Sequence, residues 1–235
     1  MPIKVSLHDA WTGVADCRNC SLRGSALFAG LEESDFEKIH DPISQFTLKP
    51  GERLYRDGDN GNRLFTIRSG LVKLVRYLPD GTQRIVRLAL TSDVIGLESL
   101  LDQPYEHEAI AMQPTDICSL PVSTVNELSK DNPTLHKELL HRWQRALSDA
   151  DSWLTELSTG SARHRVARLL IRLADDTNGQ SECRLFGRED LGAMLGITTE
   201  TASRTIADFK RKGWLQELSS NHYRVDTESM QEEFL

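Results

Sequence analysis

Thr199, Glu200, Ser203 and Arg204 are the side chains of this sequence best suited to reading a base pair. Arginine forks onto guanine O6 and N7, glutamate accepts from cytosine N4, and serine adapts to several base edges. They sit in residues 188–215, REDLGAMLGITTETASRTIADFKRKGWL. That segment reads as a helix, a glycine-marked turn, a second helix and a break at Gly213. Leu191, Met194 and Leu195 share one face of the first helix, and Gly196 follows where the chain must turn. Ile197 fills the apolar slot of the turn, and Thr198 is placed to N-cap the second helix. Ala202, Ile206 and Phe209 then recur at i, i+4 and i+7, which leaves Thr199, Glu200, Ser203 and Arg204 facing outward at the helix N-terminal end. This layout predicts a helix-turn-helix whose second helix enters the DNA major groove. The run Lys210, Arg211 and Lys212 closes that helix, where phosphates and the helix dipole both favour positive charge. Residues 214–225, WLQELSSNHYRV, predict two short strands around Ser219–Asn221, a wing. An ordinary helical hairpin with a solvated polar face would share the periodicity but has no need of base-reading side chains.

The elements that must position this segment show in the rest of the chain. At 235 residues and 39% hydrophobic content, one large domain or two small ones can bury normal cores. The net charge of −7 excludes a generally basic coat for nucleic acid, so DNA affinity must come from local charge. Arg163, Arg165, Arg168, Arg172, Arg204 and residues 210–212 supply it in the last third. No apolar run approaches the roughly 18–20 residues that span a bilayer, and the N-terminus lacks a signal-peptide core, so a cytoplasmic location with no membrane partner is expected. Residues 1–26 are polar and irregular apart from Cys17 and Cys20. From Phe46 to Leu120 short strands alternate with turn signals, including the hairpin signal Pro79-Asp80-Gly81, and this favours a β-barrel or roll. Asn132-Pro133 starts a helix. Along it Leu140, Trp143, Leu147, Ala150, Leu154 and Leu157 recur at spacings of three and four, the pattern of a coiled-coil seam. A seam between two domains predicts a homodimer, although a helix packed on its own domain shows similar spacing. Gly160 marks the exit.

A β-roll, a long helix and a C-terminal winged helix-turn-helix, in that order, resemble the CRP/FNR superfamily of bacterial transcription regulators. The resemblance covers roughly residues 17–228. It rests on LKPGERLYRDGD, LFTIRSGLVKLVR and SDVIGLESLL in the roll, and on Glu200-Thr-Ala-Ser203-Arg204, which is similar to the E-x-x-S-R of the FNR branch rather than E-x-x-G-R. It implies an α+β fold with a cyclic-nucleotide-binding-type β-roll over residues 27–130, after an N-terminal cysteine-containing arm over 1–26. A dimerisation helix over 131–160 and a winged helix-turn-helix over 161–235 complete it. It also implies a non-enzymatic transcription regulator, an activator, that reads a TTGAT/ATCAA-like palindrome as a two-fold dimer and touches RNA polymerase through the Pro79–Gly81 loop.

The resemblance further suggests what is sensed. Members of the CRP type clamp cyclic AMP with a Gly-Glu pair and an Arg-Ser pair. Here Gly96-Leu97-Glu98 partly keeps the first element, but Gln103-Pro-Tyr105-Glu-His107-Glu-Ala109 carries no arginine, and its acids would repel a phosphate. Cyclic AMP is therefore not expected. FNR-like members hold a [4Fe-4S] cluster with three N-terminal cysteines and one on a late roll strand. Cys17, Cys20 and Cys118 fall on three of these positions, and Ala26 stands at the other, so a cluster would need a non-cysteine fourth ligand such as Asp16, His8 or an external molecule. Cys17 and Cys20 also fit a redox dithiol, because C-x-x-C spacing lets one thiolate attack or resolve the other. The thiols also fit no sensing at all, with Cys118 a small buried residue and Cys183 structural. Two rivals to an oxygen, nitric oxide or redox sensor remain: a regulator with a small-molecule effector in the roll, and a cupin-like enzyme fused to a DNA-binding module. The second needs several histidines in the barrel, and the roll from Phe46 to Leu120 contains only His107.

Overall fold

The structure, a computed structural model, describes residues 43–177 and 180–234. Cys17, Cys20, His8, Asp16 and Ala26 lie outside the described residues. The chain divides into two units: residues up to 76 together with 86–147, and residues 77–85 together with 148–235.

The first unit holds the roll. Its strands are β1 (Ser44–Leu48), β2 (Arg53–Tyr55), β3 (Arg63–Ser69), β4 (Val72–Tyr77), β5 (Gln83–Ala89), β6 (Val94–Ile95), β7 (Glu108–Ala111) and β8 (Thr115–Pro121). They form two four-stranded sheets, ordered β1-β8-β3-β6 and β2-β7-β4-β5. The expected strand-and-turn rhythm is borne out, since short strands broken by Pro, Gly and Asp can close two sheets on one core. One part of that core gathers Leu48, Phe65, Ile67, Val72, Leu74, Ile95 and Ile117 with the rings of Tyr55 and Tyr105. A second part joins Leu64, Val94, Leu97 and Leu120 to residues that follow the roll: Val125 and Leu128 of α1 (Val122–Asp131), and Leu135 and Leu139 of α2 (Pro133–Ser152).

The helix start at Asn132 forms as expected: its side chain accepts from the Leu135 N–H at 3.0 Å, satisfying a donor that the first turn leaves without an intrahelical partner. Arg142, almost fully buried, anchors α2 to the roll. Its Nε donates to Glu138 and its guanidinium to the Ser92 carbonyl, both at 2.8 Å. On the opposite face Leu140, Trp143, Leu147 and Ala150 are exposed in line, Leu147 at 64%.

The expected seam ends earlier than its spacing implies. After Ser152 the chain winds into a π turn over Trp153–Leu157. Leu154 stays outside at 66% exposure, but Leu157 is 2% exposed and turns inward with Trp153. The wider π turn takes more residues per revolution than an α-helix, so a three-and-four count drawn through it runs off the face. Leu157 is thus a core residue of its own chain.

The second unit contains α3 (Ala162–Leu173), β9 (Asp175–Thr177), β10 (Gln180–Arg184), α4 (Arg188–Leu195), α5 (Thr199–Arg211), β11 (Leu215–Ser219), β12 (His222–Val225) and α6 (Thr227–Phe234). The predicted wing, β11 and β12, turns at Asn221 with φ of 55° and extends to a four-stranded sheet, β11-β12-β10-β9. Cys183 faces Tyr223 across β10 and β12 and is buried, which pushes its thiol up to about 12. Among the described residues no helix is long and apolar enough to cross a membrane.

Candidate nucleic-acid interface

Helices α4 and α5 approach each other closely because the turn between them contains little side chain. A Cβ at Gly192 would lie 2.7 Å from the Ile197 carbonyl oxygen, so only glycine fits where the turn crosses α4. Gly196 ends α4 in the left-handed region, φ 62°, and its N–H bonds back to the Gly192 carbonyl. Thr198 then caps α5: its Oγ1 accepts from the Thr201 N–H at 3.2 Å. Ala202, Thr205, Ile206 and Phe209 are buried beneath α5. That inward stripe sets the helix's rotation about its axis, and Thr199, Glu200, Ser203 and Arg204 are all exposed on its other side. Among the described residues the side chains of these four make no hydrogen bond or ion pair.

The cations that close α5 are differently placed. Lys210 pairs with Glu217 of the wing and lies 5.0 Å from the Tyr223 ring centroid; the Glu217 carboxylate holds its ammonium above the ordinary value. Arg211 bonds Asp208 at 2.9 Å, and the Lys212 ammonium stands 4.3 Å over the Trp214 ring. The run therefore ties α5 to the wing as well as adding charge.

The arginines of α3 are also engaged. Arg163 pairs with Asp208 and lies 5.5 Å from the ring centroid of Phe209 and 5.9 Å from that of Phe234. Arg165 donates to the Leu195 carbonyl, and Arg168 to the Glu156 carbonyl. Arg172 bonds Asp149 at 2.9 Å. Counting charge along the sequence assigns these four to DNA, whereas in the fold they tie α3 to the last turn of α2, the π turn, α4 and α5.

Helix α6 was not foreseen. Asp226 accepts from the Ser229 N–H at its start, and Phe234 at its end packs on Phe209 and Trp214 at centroid distances of 5.7 and 5.5 Å. The signal was present as an Asx cap before an alternating apolar pair, Met230 and Phe234, four residues apart on one face.

In the roll, Gly96-Leu97-Glu98 and the 103–109 segment come together. Leu97 is buried in the core, and Glu98 accepts from the Glu106 N–H at 3.2 Å. Glu108 is also buried and pairs with Arg53 of β2, so its charge is neutralised within the roll rather than free to repel a ligand. Burial pushes His107 below the usual imidazole range; Glu98 works against that shift, and Arg87 and Arg76 work with it. Tyr55 and Tyr105 stack at 4.0 Å, and the Tyr55 hydroxyl is buried with no hydrogen-bond partner among the described residues. Cys118 is half-buried on β8 against the core. Among the described residues no group of three His, Cys, Asp or Glu is placed to hold a metal ion.

A winged helix-turn-helix with an unpartnered polar face, preceded by a β-roll, defines a DNA-binding regulator with a ligand-binding type of N-terminal domain. Residues 45–132 match the cyclic nucleotide-binding domain, and residues 164–232 match the Crp-like helix-turn-helix domain. The chain is 30% identical over 208 residues to the transcriptional activator protein FnrA of Stutzerimonas stutzeri, covering 86% of this chain and 85% of that one. It is 26% identical over 205 residues to the fumarate and nitrate reduction regulatory protein of Escherichia coli K12, covering 85% and 82%. The structure of FixK2 from Bradyrhizobium japonicum superposes with a TM-score of 0.72 at 23% identity, covering 81% of this chain and 96% of that one. This chain belongs to the CRP/FNR family of transcription regulators.

The aromatic packing around Phe234 gives one expectation. Phe234→Ala should cost about 3–5 kcal/mol of stability, the range for deleting a buried phenyl ring. A calorimetric melt should show the loss in the transition of the DNA-binding unit. An unchanged melt would show that α6 contributes nothing to the fold.

Proposed function

We propose that this chain is a homodimeric transcription activator of the FNR type that reads a TTGAT/ATCAA-like palindrome. The observation that carries the reading is the contrast on α5. The four side chains at its N-terminal end are exposed and unpartnered, while the cations at its C-terminal end are bound to Asp208, Glu217 and Trp214. Side chains left without partners at a position that enters the major groove suit direct base readout. Thr199, Glu200, Ser203 and Arg204 read the bases, and Lys210, Arg211 and Lys212 retain enough charge to steer the phosphates.

A second copy of the chain covers the exposed stripe of Leu140, Trp143, Leu147, Ala150 and Leu154, which sets two recognition helices one DNA turn apart. The loop Pro79–Gly81 is the contact for RNA polymerase. It is a rigid presentation: the Asp80 side chain accepts from the Thr82 N–H at 2.8 Å, and the Gly81 N–H donates to the Leu78 carbonyl.

The signal is oxygen, nitric oxide or redox state, received through Cys17, Cys20 and Cys118. The names of the relatives, an activator protein FnrA and a fumarate and nitrate reduction regulator, support this reading. If the thiols hold an iron–sulfur cluster, it supplies the oxygen-labile redox chemistry, and Cys118 joins the N-terminal arm to β8. Cyclic AMP is not part of this reading, since the 103–109 segment carries no arginine to meet a cyclic phosphate and places Glu106 there instead. A second reading, a small-molecule effector in the roll, rests on the buried Tyr55 hydroxyl that lacks a partner.

Three measurements test the proposal. Arg204→Ala should abolish preference for the palindrome in gel-shift titration while leaving the dimer intact, because a bidentate arginine–guanine pair is worth about 1–3 kcal/mol in each half-site. Unchanged affinity would remove Arg204 from the reading set. Leu147→Asp should split the dimer in sedimentation, since a buried leucine contributes roughly 2 kcal/mol and two facing carboxylates repel one another. A full-strength dimer would place the seam elsewhere. Iron and labile sulfide, with a visible spectrum, should be found after anaerobic purification, and Cys17→Ser, Cys20→Ser and Cys118→Ser should each remove the same signal. Loss for the first two alone would indicate a dithiol, and three silent variants would move the sensor to the roll.

A further inference from the structure

The tip of the β4–β5 hairpin, residues 77–85, groups with the DNA-binding unit rather than with the roll from which it springs. Its β5 edge and the helix-turn-helix enclose a cleft of about 530 Å³, lined by Thr82, Arg84, Glu189, Gly192, Gly196 and Thr198 among others. The Arg84 guanidinium is seated on the turn: a Cβ added at Gly196 would lie 2.8 Å from its Nη1. Arg84 is exposed and has no acidic partner among the described residues, unlike Arg163, Arg172 and Arg211. Thr199, the first of the exposed reading side chains, lines the same cleft.

We infer that Arg84 is a DNA-backbone residue, and that this cleft receives a phosphate of the duplex whose bases α5 reads. The inference rests on the DNA-binding reading above. In a helix-turn-helix the first helix crosses the sugar-phosphate backbone while the second enters the groove. Here α4 contributes Glu189, Gly192 and Ala193 to the cleft, and α5 contributes Thr199. Gly192 and Gly196 keep the floor low enough for a backbone to approach, and the hydroxyls of Thr82 and Thr198 are donors to a phosphate oxygen. Glu189 is the opposing charge on the lining, so the cleft needs the Arg84 cation to accept an anion. A guanidinium matches phosphate in geometry and charge. Arg84 thereby brings the roll's own hairpin onto the DNA, with a contact that positions the protein and carries no sequence information.

The test is fluorescence anisotropy of the full-length protein on a labelled TTGAT/ATCAA duplex and on a scrambled duplex, across a range of salt concentrations. Each phosphate neutralised contributes about 0.9 to the slope of log K against log salt, so Arg84→Ala should flatten the slope by about 1.8 for a dimer. The ratio of operator to scrambled affinity should stay at the wild-type value. Arg84→Lys should keep the wild-type slope, because the charge remains. An unchanged slope for Arg84→Ala overturns the inference, and so does a slope for Arg84→Lys as flat as that for Arg84→Ala, which would make the role one of packing. A wild-type protein that binds neither duplex overturns the DNA-binding reading itself, an outcome distinct from either of these.

Discussion

The buried stripe beneath α5 is the constraint on which the rest of this structure depends. Ala202, Thr205, Ile206 and Phe209 have one orientation in which they leave water, and adopting it fixes the helix's rotation. The outward direction of Thr199, Glu200, Ser203 and Arg204 follows as geometry. It needs no interaction of their own, which is why they can be left without partners. A side chain that reads a base must arrive without hydrogen bonds to break. The fold orients these four residues through the buried stripe and not through contacts of their own side chains.

The cationic residues around α5 follow the opposite rule. Arg163 and Arg211 converge on Asp208, Lys210 meets Glu217, and Lys212 covers Trp214. An acidic protein that binds a polyanion must place its positive charge locally, and pairing most of it inside the domain limits sequence-independent adhesion to nucleic acid. Exposed ion pairs of this kind contribute little to stability, so holding α3, α5 and the wing in register is their more substantial role. The aromatic set of Phe209, Trp214 and Phe234 supplies the burial that the ion pairs cannot.

Local signals were legible in the sequence and distant partners were not. Asn132 and Thr198 cap their helices, Gly196 turns, and the wing folds around residues 219–221, because each depends on neighbours within four residues. The α+β order of roll, helix and winged helix-turn-helix follows from those signals in sequence. Arg163 reads as charge available to DNA because its partner Asp208 lies 45 residues away, and Glu108 reads as repulsive because Arg53 is on another strand. The sign of a charge can be read from one residue, but its availability depends on tertiary pairing. Leu157 failed for a different reason. The a/d count assumes one pitch along the whole helix, and a π turn breaks that assumption without a marker in composition. Helices α1 and α6 are both short, ten and eight residues, and neither carries base-reading or turn residues that single it out.

The roll shows how a domain can match a nucleotide-binding family while its polar interior follows other chemistry. A cyclic phosphate needs a cation at the 103–109 segment, and this chain places Glu106, His107 and Glu108 there, with Glu108 occupied by Arg53. Burial disfavours protonation of His107, so it does not replace the missing arginine. Arg87 and Arg76 lie close enough to act on His107 electrostatically but belong to β5 and β4 themselves, outside that segment. The stacked pair of Tyr55 and Tyr105 occupies the adjoining core. Tyr55 on β2 also stacks on Phe65 of β3, so the aromatic group ties one sheet to the other. The roll thus has a packed aromatic and aliphatic interior of its own. It supports α2 through Arg142 and the Ser92 carbonyl, and Cys118 on β8 packs against the same core cluster that holds Leu135 and Leu139 of α2. β8 and the buried face of α2 therefore share one core, and the exposed stripe of Leu140, Trp143 and Leu147 lies on the opposite face of that helix.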